Sequence, residues 1–174
     1  VVTNIGEGDR VGQHDIESAE RMVFVKRSVV DVVAPGVGVA VLNARDALVA
    51  SMAQYSRGKV LYFADDAGDP LIAEHRAAGE RAVFVQEGQI VLAEGSRASS
   101  LMPLARVPVT MEGRVAFQVQ NVLAAVGALW ALGTPRDKII AGLESFRLEP
   151  DQTGGRFNLI DAATVIVVPS AMPT

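Results

Sequence analysis

Short valine-rich runs alternate along this chain with segments whose apolar residues recur at helical spacing, and that alternation limits the fold more than any other feature. Val37–Leu42 and Val60–Ala64 are unbroken apolar runs, without the in-and-out pattern of a half-solvated sheet. Strands of that kind are buried on both faces, which calls for a parallel sheet with helices above and below. The expected class is α/β: a mostly parallel sheet flanked by helices. Val1–Ile5 reads as the end of a strand, and Gly6–His14 as a loop. Ile16–Val33 reads as one amphipathic helix, with Ala19, Val23, Lys26, Val30 and Val33 on a single ridge and Pro35-Gly36 closing it. Helices are also expected at Asp46–Tyr55, and at Pro70–Ala78 after Asp69, with proline in its favoured first position. Ala82–Val85 and Gln89–Leu92 flank Glu87-Gly88 and predict an antiparallel hairpin at the sheet edge. Pro103 and Pro108 limit Ser96–Thr110 to edge strand or loop. Phe117–Leu132 is the strongest helical pattern, with Val119, Val122, Val126, Leu129 and Trp130 on its apolar face. Pro135–Phe146 follows as the second arm of a helical hairpin, then a loop at Leu148–Gly155 and a last strand at Thr164–Val168.

Composition narrows the function. At 174 residues the chain suits one domain, or one and a fraction, and buries a core without staples. It has no cysteine, which removes disulfides, a thiol nucleophile and thiolate metal sites. A net charge of −4 with 5% aromatics gives neither a phosphate-tracking basic stripe nor a base-stacking surface, so nucleic acid is not the expected partner. The apolar runs are too short to cross a bilayer, and no leader pattern is present; no membrane association and a cytoplasmic location are expected. Val1 opens inside a strand-like run without an initiator Met, and Pro169–Thr174 follows another, so a piece of a larger protein is expected.

Several residues invite chemistry. The cluster Gly6-Glu7-Gly8-Asp9-Arg10-Val11-Gly12 has the wrong spacing for a dinucleotide fingerprint, and Glu7 and Asp9 would repel a pyrophosphate. Lys26, on an apolar ridge, either snorkels to solvent or is desolvated enough to take up CO₂ as a carbamate, an oxygen ligand for Mg²⁺. Asn43-Ala44-Arg45-Asp46 either caps the next helix or forms a ligand loop at the carboxyl end of a parallel strand. Asn121, in the first turns of the main helix, either caps locally or offers its amide to a base edge. Arg156 is either a turn residue or a bidentate phosphate clamp. His14 and His75 are the only histidines and form no metal-spaced pair; His75 reads as solvated.

Five stretches occur together in a distinctive order: Val2-Thr3-Asn4-Ile5-Gly6-Glu7-Gly8-Asp9, Arg21-Met22-Val23-Phe24-Val25-Lys26-Arg27, Val41-Leu42-Asn43-Ala44-Arg45-Asp46, Asn121 with Ala124-Ala125, and Gly155-Arg156-Phe157-Asn158. In this order they resemble the Mur ligase superfamily, most closely the ligase-like C-terminal part of the cyanophycin synthetases. The resemblance implies a central ATPase-type domain over 1–168, incomplete at its N-terminus, with 169–174 as an aberrant or truncated start of a further domain. It implies ATP and Mg²⁺ as cofactors. In that chemistry ATP phosphorylates a carboxylate and an amine displaces the phosphate to form an amide. A cyanophycin-like poly-aspartate polymer and an amino acid, Arg or Asp, would be the parent's substrates, and the parent would be a homo-oligomer. By position Lys26 matches a lysine that many Mur ligases carbamylate, and would thereby be a metal ligand. Asn4 and Asp9 match the loop facing the metal and acyl phosphate, Asn121 the adenine contact, and Arg156 an arginine near the phosphates. Departures from the pattern are Arg10 where the family has His, Gly154 where it has Pro, and Val168-Pro169-Ser170-Ala171 where a ribose-contacting Asp motif is expected. They leave room for two other readings, a non-catalytic nucleotide- or ligand-binding module and a Mur-type ligase for another substrate.

Overall fold

The computed structural model describes residues 1–5 and 18–147, and the backbone of two short paired strands, Asn158–Leu159 and Ile166–Val167. A five-stranded sheet runs in the order β1 (Val39–Asn43), β2 (Lys59–Ala64), β3 (Arg81–Gln86), β4 (Gln89–Glu94), β5 (Arg97–Pro103). The first three strands are parallel, and β4 and β5 are antiparallel. Val2 extends the parallel side by one bridge to Leu42. The expected mixed, mostly parallel architecture is therefore present at this end of the sheet, and the antiparallel edge is a three-stranded meander rather than a lone hairpin. The β3–β4 turn is made by Glu87 and Gly88, both at positive φ (50° and 71°), the twist that two-residue hairpins require.

Alternate residues of each strand serve two separate cores. Val41, Leu61, Phe63, Val83 and Leu92 face α5 (Ala116–Ala131) and α6 (Arg136–Ser145). Leu42, Tyr62, Ala82 and Phe84 face the other layer. That layer holds α1 (Ala19–Lys26), α2 (Ser28–Asp31), α3 (Ala47–Ser51) and α4 (Pro70–Ala77). Leu61, Phe63 and Phe84 are fully buried. Each contributes about 1.5–3 kcal/mol by burial, so both faces are needed to hold the sheet. Gly127 lets α5 approach closely: a Cβ there would lie 3.0 Å from both Leu61 and Val41.

Two elements differ from the sequence expectation. The long helix is broken after Lys26 into α1 and α2. Ser28 Oγ donates to the Val25 carbonyl (2.9 Å), and Val30 N–H closes a tighter turn onto Arg27 (2.7 Å). A serine that takes a helix carbonyl competes with the regular ladder. Of the expected ridge Val30 is buried and Val23 and Val33 pack partly buried against the same core, and Met22, outside that ridge, is buried as well. The helix after Asp46 turns 3-10 at Met52–Tyr55. Ser96–Thr110, expected as edge strand or loop, is the edge strand β5 followed by two 3-10 turns, Leu104–Arg106 and Pro108–Thr110, with Pro108 opening the second. The loop expected at Leu148–Gly155 lies outside the described residues. Among the described residues, no helix is long and apolar enough to cross a membrane.

His75 is not simply solvated. Its Nε2 lies 3.1 Å from the Val60 carbonyl and its ring meets Tyr62 edge-on at 4.8 Å. Tyr62 donates to the Ala50 carbonyl (3.1 Å) and is 6% exposed. Burial, and secondarily the charge of Glu74, push its phenol above the ordinary tyrosine value. A folded-state value above the unfolded one means the contribution to stability is complete below about pH 10 and falls as pH rises through the folded value. An alkaline loss of stability is therefore expected, and Tyr62→Phe should flatten that limb in denaturant melts taken from neutral to alkaline pH. An unchanged limb in the variant would remove Tyr62 as its cause.

Candidate functional site

The carboxyl ends of parallel strands are where an α/β sheet presents its ligands. Here that end is built around the chain's first residues. Val2 N–H donates to the Val41 carbonyl (2.9 Å), and Asn43 N–H donates to the Val2 carbonyl (3.3 Å). Asn43 is 2% exposed; its Nδ2 donates to the Thr3 carbonyl (2.8 Å) and its Oδ1 accepts from Arg45 N–H (2.9 Å). Asp46 spends both carboxylate oxygens. Oδ1 accepts from Leu48 and Val49 N–H (3.0 and 3.1 Å) as the N-cap of α3, and Oδ2 accepts from Ile5 N–H (2.6 Å). Of the two readings of Asn43–Asp46, capping is the one seen, with a long-range tether added to it. At the end of β2, Asp65 Oδ1 is buried at ion-pair distance from Arg45 Nε (3.4 Å) without hydrogen-bond geometry.

Lys26 completes this end. It is half-buried at the last turn of α1, and its Nζ donates to the Asn4 carbonyl (2.9 Å). Val1, Val2, Thr3, Asn4, Lys26 and Val29 enclose a cleft of about 220 Å³. Lys26 thus neither simply extends to solvent nor sits in a dry interior; it holds the strand segment at the mouth of a cleft. The contact with Asn4 spans 22 residues and is made to its backbone carbonyl, while the Asn4 side-chain oxygen accepts from Thr3 Oγ1 (3.0 Å). Asp9 and Arg156 lie outside the described residues, as do Arg10, His14 and the glycine cluster.

Asn121 belongs to a second cavity, of about 280 Å³, between α5 and α6. Its walls are apolar, including Val109, Val122, Leu129 and Phe146, and its polar groups are the amides of Asn121 and Gln118. Asn121 Nδ2 donates to Gln118 Oε1 (3.3 Å), one turn back on the helix. Residues three apart share a helix face, so the spacing to Gln118 was the sequence signal for this pair. An apolar slot with a few convergent amides, just under the size of drug-sized pockets, suits one planar heterocycle.

Among the described residues, no group of three or more His, Asp or Glu is placed to hold a metal. Lys26 and Asn4 alone do not make a magnesium site.

The fold of a mostly parallel sheet between helical layers has counterparts among solved structures. The chain superposes on MurF from Acinetobacter baumannii with a TM-score of 0.59 at 23% identity, over 92% of this chain and 31% of that one. A pseudomurein peptide ligase type C from Methanothermus fervidus matches with a TM-score of 0.52 at 20% identity, over 90% of this chain and 34% of that one. In sequence the chain is similar to cyanophycin synthetases: 36% identical over 161 residues to those of Synechocystis sp. and Crocosphaera subtropica, and 33% to that of Nostoc sp.. The chain is thus similar to Mur ligases in fold and to cyanophycin synthetases in sequence. The aligned region is 92% of this chain and 18% of the length of those relatives. No family model matches the sequence.

Proposed function

We propose that this chain is the nucleotide-handling portion of an ATP-dependent amide ligase of the cyanophycin-synthetase type, and that by itself it does not complete a reaction. The observation that carries this reading is the pairing of Lys26 with Asn4 at the strand ends. Two residues assigned to one reaction region by resemblance meet there in space. In the parent, a substrate carboxylate oxygen attacks the terminal phosphorus of ATP and ADP leaves. The amine nitrogen then attacks the acyl carbon, phosphate leaves, and the amine gives up a proton. Asn121 and Gln118 would receive the adenine edge, and Arg156 would meet phosphate oxygens. Asn4, Asp9 and Lys26, the last as a carbamate, would face the acyl phosphate. Magnesium would neutralise charge on the phosphates, with the Lys26 carbamate among the groups that would hold it. The parent's substrates would be a poly-aspartate polymer and an amino acid, in a cytoplasmic homo-oligomer.

Titration of ATP into the isotopically labelled chain tests this. Weak, millimolar-range binding is expected, with amide shifts at Gln118, Asn121 and Phe146 that disappear in Asn121→Leu. No adenine-dependent shift at these residues would overturn the nucleotide reading. Micromolar affinity would overturn the claim that this portion is incomplete alone.

A further inference from the structure

A third recess lies away from both sites, where the β4–β5 hairpin faces α5 and α6. It is an open groove of about 610 Å³ lined by Leu92, Glu94, Arg97, Ser99, Trp130 and Arg136, among others. Its floor follows from strand register. Arg81 pairs with Glu94 and Glu94 with Arg97, so these three form a cross-strand row over β3, β4 and β5. Leu92 pairs with Ser99 one step along, on the same face. Arg81 stacks on Trp130, its guanidinium carbon 5.1 Å from the ring centroid. Arg136, at the first turn of α6, reaches across to Ser99 Oγ (2.9 Å) and to the Ser100 carbonyl. Two guanidinium groups, those of Arg97 and Arg136, and the Glu94 carboxylate line the recess, and Arg81 lies beside it against Trp130. Among the described ion pairs, none involves Arg81, Arg97 or Arg136. This local excess of positive charge stands out in a chain whose net charge is −4.

The row also lies at an open sheet edge. β5 is the terminal strand, and its residues Arg97, Ala98, Ser99 and Ser100 are exposed. Arg136 sits over that edge through the Ser100 carbonyl. An extended chain laid along β5 would find guanidinium forks, hydroxyls and unpaired backbone groups at strand spacing, and forks match carboxylates in bidentate geometry.

We propose that this groove is a docking site for an acidic peptide segment in extended conformation, its carboxylates held by Arg97 and Arg136 beside Trp130. The groove shares no residue with the Lys26 cleft or the Asn121 cavity. Glu94 sets its limit, excluding a continuous run of negative charge from the middle of the row and favouring carboxylates at spaced positions.

The chain carries a single tryptophan, so Trp130 fluorescence reports on this groove directly. A peptide of alternating glutamate and serine titrated into the full chain at low salt should give a saturable change that is suppressed by added salt. Arg97→Glu, which alters an exposed side chain, should weaken the response about tenfold or more, and Arg97→Ser with Arg136→Ser should abolish it. Inorganic phosphate and a single-stranded RNA oligonucleotide serve as comparison probes. No saturable change with the peptide, an unchanged response in Arg97→Glu, or an equal or stronger response to phosphate or RNA would each overturn the proposal.

Discussion

Replacing Gly58 with alanine is expected to cost about 3 kcal/mol of stability, among the largest effects of any single change in this chain. A Cβ at Gly58 would lie 2.7 Å from Val33 Cγ1 and closer still to the carbonyl oxygen of Gly38. That carbonyl is not free to move away, because it accepts Lys59 N–H (2.9 Å) beside the β1–β2 ladder. The added methyl must therefore either break this bond or shift β1 against β2. Gly38 is as confined, with Ala34 backbone 2.7 Å from its own ideal Cβ position, so neither partner can yield. Gly142 is the control. A Cβ there meets nothing within 4 Å, so Gly142→Ala should stabilise α6 by up to about 1 kcal/mol through helix propensity. Urea midpoints of the two variants should move in opposite directions. A Gly58→Ala midpoint within error of the parent would show that the strand entry is looser than these distances imply.

The second large effect belongs to Asp46. Asp46→Ala removes the N-cap of α3 and the bond to Ile5 together, an expected loss of about 3 kcal/mol, since a cap contributes about 1 and a charged hydrogen bond about 1.5–3. The loss should be local as well as global. Amide exchange at Val2 and Asn43, which form the bonds to the first segment, should accelerate more than exchange at Phe63 or Val83 in the centre of the sheet. Asp46→Asn should recover the cap and only part of the tether, giving an intermediate value. Equal stability of the Ala and Asn variants would mean that the Ile5 bond, and not the cap, carries the effect.

The sequence made the strands legible because their valine runs are continuous, and the hairpin legible because Glu87-Gly88 is a two-residue turn. It made Lys26 conspicuous because a charge on an apolar ridge is costly. It could not make Asn4 its partner, because nothing local connects residues 22 apart. The break after Lys26 depended on one hydroxyl, Ser28, competing for one carbonyl, and periodicity does not register that. Asp46 looked like a cap and is one; its second bond, to Ile5, exists only once the first segment lies beside β1. The arginine groove was invisible for the same reason at larger scale. Arg81, Arg97, Trp130 and Arg136 converge only through strand register and the return of α5 and α6 over the sheet.

The mixture of strand directions distributes the entropy of chain closure unevenly. Each turn of the β3–β4–β5 meander closes through two residues, whereas joining β1 to β2 closes the segment 44–58, and the bridge of Val2 to Leu42 joins residues 40 positions apart. Closure cost rises with the length closed. The meander is therefore the least expensive part of the sheet to form, and the parallel rungs at the lysine cleft are the most expensive. The region given the chemistry is held together by the longest loops, and a few directional bonds from Asn43, Asp46 and Lys26 offset their closure.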